Sequence, residues 1–68
     1  RMTKFKVAGM NCNHCEETVR KALASVPGVT KVVDVSAVRG EVEVEGNAKL
    51  LDMEKAVRLA GFEPGHPA

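Results

Sequence analysis

The sequence predicts an α+β fold built from two consecutive strand-helix-strand units, in the order β-α-β-β-α-β. Three observations carry that prediction. Short runs alternate apolar and polar residues with the period of a half-buried strand, two longer segments repeat apolar residues with the period of a helix, and glycine-containing breaks fall between them. The 68 residues suffice for one small domain, residues 1–68, without a deep cleft. With 44% hydrophobic residues, two Phe and no Trp or Tyr, its core must be mainly aliphatic.

The first strand is read over Thr3 to Val7, where Phe5 and Val7 share one face and Lys4 and Lys6 the other. Gly9 breaks the alternation. Cys15, Val19, Ala22, Leu23 and Val26 then form one apolar stripe on a helix, which Pro27-Gly28 ends. Asn13 followed by Glu16 has the spacing of a capping box, so the helix is expected to start near Asn13 or His14. Val29 to Ser36 and Glu41 to Glu45 read as an antiparallel hairpin turning at Arg39-Gly40. Gly46-Asn47 is expected to open a second helix carrying Leu50, Met53, Val57 and Ala60, with Gly61 at its C-terminal cap. Phe62 and a short tail remain for a last strand. This is the ferredoxin-like pattern, a four-stranded antiparallel sheet with both helices on one face.

Composition narrows the function. The net charge is +1, with bases scattered among acids and no aromatic residues set among them, so nucleic acid is not an expected partner. No apolar stretch is long enough to span a membrane, and the amino end lacks the apolar segment of a signal peptide; the chain reads as soluble, with a piece of a longer membrane protein as the alternative. A disulfide between residues three positions apart would constrain little of the unfolded chain, so a structural role for the cysteines is the weaker reading.

Gly9-Met10-Asn11-Cys12-Asn13-His14-Cys15 places two thiols where a strand gives way to a helix. Cys15 falls in the first turn and Cys12 just before it, so both sulfurs can converge on one ion beside unpaired helix amides. The positive end of the helix dipole favours thiolates, while Glu16 and Glu17 oppose it. A structural zinc site normally takes four ligands, whereas two thiolates satisfy copper(I), silver(I) or mercury(II) in a near-linear arrangement. His14 lies between the cysteines and is expected to point to solvent, a minor contributor at most. His66 should lie about 13 Å from the site end of the sheet, in the tail. Arg20 and Lys21 follow the cysteines and read as a solvated face, with an acidic partner surface as the alternative.

The heptapeptide resembles the G-M-x-C-x-x-C signature of the heavy-metal-associated domain, which occurs in bacterial copper chaperones, in copper- and zinc-transporting P-type ATPases and in mercury-binding proteins. Val26-Pro27-Gly28-Val29 and Ala60-Gly61-Phe62 extend the resemblance over nearly the whole chain. It implies Cys12 and Cys15 as ligands, Met10 as a buried support and Phe62 as packing beneath the site. It also implies a non-enzymatic metal carrier, either a cytoplasmic copper chaperone whose partner is a metal-transporting P-type ATPase or its metal-binding domains, or, as the alternative, an excised cytoplasmic N-terminal metal-binding domain of such an ATPase. The expected state is a monomer when apo, with a metal-linked dimer as a further state. Asn11 stands where copper-binding relatives usually carry Thr or Ser and zinc-transporting relatives often carry Asp, which keeps zinc(II) and cadmium(II) as alternatives. Phe62 stands where bacterial chaperones often have Tyr. A thiol-disulfide oxidoreductase also places C-x-x-C at a helix start, but such enzymes are longer and often have proline between the cysteines.

Overall fold

A computed structural model describes residues 1–67. In chain order the elements are β1 (Met2–Ala8), α1 (Asn13–Ala24), β2 (Val29–Ser36), β3 (Glu41–Gly46), α2 (Leu50–Leu59) and β4 (Glu63–Pro67). The strands form one antiparallel sheet in the order β2-β3-β1-β4. Helix α1 packs on β2 and α2, and α2 on β4, which places both helices on one face of a ferredoxin-like sheet.

Alternation sets the register. Phe5 and Val7 are buried while Lys4 and Lys6 are exposed, and Phe5 pairs with Val42 on β3. Lys6 sits directly opposite Glu41, with Nζ 2.8 Å from Oε2. That hydrogen bond holds the Glu41 carboxyl below its ordinary value, against the opposing effect of desolvation. Beneath the helices, Phe5, Val19, Leu23, Val42, Met53 and Val57 are almost wholly excluded from solvent. Each such side chain contributes about 1.5–3 kcal/mol of transfer free energy, so this cluster carries the stability of the domain.

Helix α2 ends in a Schellman arrangement: the Phe62 amide donates to the Val57 carbonyl (3.1 Å) and the Gly61 amide to the Arg58 carbonyl (3.0 Å). Gly61 takes φ +100°, the left-handed conformation that this cap requires. Ala60 is therefore the C-cap and Gly61 the residue after it. At the opposite end of the sheet, Gly46 (φ +133°) approaches β2 so closely that a Cβ there would lie 2.1 Å from the Gly28 carbonyl oxygen.

Four expectations about local structure are corrected. Asn13 is not the N-cap of α1: Cys12 is, in an extended conformation with no side-chain capping bond. That one-residue shift puts Glu16 a position too late to close a capping box, and its carboxylate accepts a hydrogen bond from the Ala37 amide instead (2.7 Å). Gly46-Asn47 does not open α2, because the Asn47 amide is held by the Gly28 carbonyl (2.9 Å); the helix starts at Leu50 with Lys49 as N-cap. The backbone of His66 belongs to β4 rather than to a tail, and its side chain lies outside the described residues. Arg20 also departs from the solvated reading, since its guanidinium donates to the Val32 carbonyl (3.0 Å).

Candidate metal site

The antiparallel path of the chain brings three connections to one end of the sheet: the loop from β1 to α1, the turn from β2 to β3, and the corner from α2 to β4. The first carries the cysteines. Cys12 ends the loop and Cys15 lies in the first turn of α1, where the Glu16 amide makes the first helical bond to the Cys12 carbonyl (3.2 Å). The two Sγ atoms are 3.7 Å apart. A disulfide needs about 2.05 Å, so both cysteines are free thiols.

Local electrostatics favour thiolate at Cys12. The Cys15 amide, then the Cys15 thiol, then the His14 amide hold the Cys12 thiol below its ordinary value, while desolvation and the Glu16 charge push the other way. These amides are the unpaired donors of a helix start, so the fold itself provides the stabilisation. Cys12 is exposed and Cys15 half-buried, so the pair opens to solvent from one side.

Beneath the thiols, Met10 is 7% exposed and joins the hydrophobic core, its side chain turned inward from the loop. Phe62 packs against the same core, and its ring lies along the loop backbone: a Cβ on Gly9 would meet Phe62 Cδ1 at 3.4 Å. The α2-β4 corner thus lies under the start of the cysteine loop. His14 is exposed. Among the described residues no group of three or more His, Cys, Asp or Glu side chains is placed to hold an ion, so His14 does not extend the cysteine pair to a three-donor set. The carboxylate of Glu16, beside this pair, was read from the sequence as part of a capping box, and its contact with Ala37 was missed because that partner is 21 positions away.

Fold and site together define a small α+β domain that presents a dithiol at its surface. Comparison with known proteins makes this specific: the chain belongs to the heavy-metal-associated domain family, whose model matches residues 4–63. It is 35% identical over 63 residues to copper-transporting ATPase 2 of Rhizobium meliloti (strain 1021), covering 91% of this chain but 8% of that protein. It is 33% identical over 62 residues to the copper chaperone CopZ of Staphylococcus aureus (strain JH9), covering 87% of this chain and 90% of that one. A mercuric reductase of Acidithiobacillus ferrooxidans is 36% identical over 61 residues, covering 88% of this chain and 11% of the reductase. Among solved structures, a copper-binding domain from HMA7, a P-type ATPase, superposes with a TM-score of 0.92 at 31% identity, covering 100% of this chain and 95% of that one. The chain thus spans a small part of the ATPase and reductase relatives and nearly all of the chaperone.

Proposed function

We propose that this chain binds one copper(I) ion through the thiolates of Cys12 and Cys15 and hands it to a thiolate-bearing partner by ligand exchange, as a copper chaperone does. The observation that carries the reading is the pair of free sulfurs 3.7 Å apart at the start of α1, with no third donor beside them among the described residues. Two soft donors satisfy copper(I), and silver(I) or mercury(II) by the same chemistry; zinc(II) and cadmium(II) need further ligands from outside the domain. A near-linear copper(I) unit holds its two thiolates on opposite sides of the ion, and the exposed Cys12 side chain is freer to adjust to it than half-buried Cys15.

An exposed two-coordinate ion accepts a third thiolate before losing a first, which lets it move without entering solution as a free ion. The relatives suggest the partner, a copper-transporting P-type ATPase or its metal-binding domains, with exchange on the cytoplasmic side. The match to copper-transporting ATPase 2 and to the HMA7 domain favours a second reading, in which this domain is itself the receiving module of such a transporter. Both readings share the site and the chemistry.

Anaerobic competition between copper(I) and zinc(II) for the reduced protein tests the proposal. One copper(I) per monomer, held at least a thousandfold more tightly than zinc(II), is the expected result. Equal or tighter zinc(II) binding would refute it.

A further inference from the structure

The β2-β3 turn grips the cysteine loop from both sides. Before the loop, the Val7 amide near the end of β1 donates to the Gly40 carbonyl (2.8 Å). After it, the Ala37 amide donates to the Glu16 carboxylate in the first turn of α1 (2.7 Å). Between these anchor points the Arg39 amide donates to the hydroxyl of buried Ser36 (3.0 Å), tying the turn to the end of β2. Arg39 also pairs with Asp34 and Glu41, one on each strand of the hairpin. The segment Gly9–Asn11, which has no regular structure of its own, is therefore suspended between two points fixed to one turn.

We infer that Glu16 is a positioning residue: through its bond to the Ala37 amide it locks the first turn of α1 to the β2-β3 turn and so holds Cys15 in place while Cys12 moves. One feature of the site makes such a lock necessary. Cys12 lacks a conventional side-chain cap, so the first turn of α1 would otherwise fray. Glu16 is only partly exposed and Ala37 packs against the core, so the bond is sheltered from competing water.

The consequence for metal handling rests on the copper reading above; the lock itself does not. Three substitutions separate reach from charge. Glu16→Gln keeps an acceptor of the same length and removes the charge, Glu16→Asp keeps the charge but is one methylene too short, and Glu16→Ala removes both. Hydrogen exchange of the reduced apo protein, read amide by amide by NMR, reports the lock directly. Glu16→Asp and Glu16→Ala should speed exchange of the Ala37 and Glu16 amides by about tenfold, as expected for loss of a hydrogen bond to a charged acceptor. Val42 and Val44 amides should stay protected in every variant, and Glu16→Gln, which keeps the reach with a neutral acceptor, should fall between the parent and Glu16→Ala. If Glu16→Asp matches the parent, or Glu16→Gln matches Glu16→Ala, the lock is refuted. A second arm measures copper(I) affinity in the same proteins. Parent protein that fails to bind copper(I) overturns the functional proposal while the exchange pattern still decides the lock; parent that binds, with altered affinity in Glu16→Asp and Glu16→Ala alone, supports both.

Discussion

Replacing Met10 by alanine separates support from ligation at the residue closest to the thiols that carries a third sulfur. Met10 is 7% exposed and belongs to the main hydrophobic cluster, so its truncation leaves a void in the core rather than an open site. Buried Met→Ala changes cost about 2–5 kcal/mol. A position at the edge of the core, where the loop can settle, belongs at the low end, about 2–3 kcal/mol. A domain of this size has a total stability of about 3–10 kcal/mol, and each kcal/mol moves Tm by about 4–8 °C. Met10→Ala should therefore lower the apo Tm by roughly 10–20 °C while the folded fraction keeps copper(I) affinity within about tenfold of the parent. Met10→Leu, which conserves volume, should restore most of the stability. Thermal unfolding of the reduced apo protein gives the first quantity, and chelator competition well below the melting temperature gives the second. Unchanged apo stability together with a hundredfold or greater loss of copper(I) affinity would show that Met10 is a ligand, and the reasoning from its burial would fail.

Cys12→Ser and Cys15→Ser should each abolish tight copper(I) binding, whereas exposed His14→Ala should shift it by less than about threefold; comparable damage from all three in the same competition assay would overturn the two-donor assignment. The Cys12 thiol titrates below its ordinary value when folded, so the stabilisation it lends the fold is present above the unfolded thiol pKa and disappears as pH falls through the folded one. Denaturation of the apo protein across that window should show a rise in stability with pH that Cys12→Ser lacks, and a parallel response in the two proteins would contradict it. Removal of metal should leave far-ultraviolet circular dichroism unchanged, because the buried core of Phe5, Leu23, Val42 and Met53 includes neither cysteine; collapse of the spectrum would place the domain with metal-dependent folds.

Strands were legible wherever burial is one-sided. Lys4-Phe5-Lys6-Val7 alternates because one face of β1 meets the helices, and the observed strand extends the expected one by a residue at each end. The cysteine pair was legible for a local reason, as loop and helix start are adjacent in sequence. What escaped the sequence depends on partners far along the chain. Asn13 and Glu16 have capping-box spacing, yet Glu16 is drawn to Ala37, and nothing near either residue announces that contact. Asn47 looks like a helix opener until Gly28 claims its amide, and Gly28 reaches it only because Gly46 lets two backbones meet. Arg20, in a helix of mixed charge, gives no sign that it will reach a carbonyl of β2.

The central claim is that Cys12 and Cys15 form a site from which copper(I) moves by exchange between thiolates, and timed transfer tests it most directly. Copper-loaded protein is mixed with increasing amounts of an apo domain carrying its own C-x-x-C pair, and the exchange rate is followed in the presence of a bulky chelator that cannot reach the loop. The account predicts a rate that rises with acceptor concentration, exceeds spontaneous release and ignores the chelator. A rate that stays flat with acceptor concentration and equals spontaneous release would contradict it.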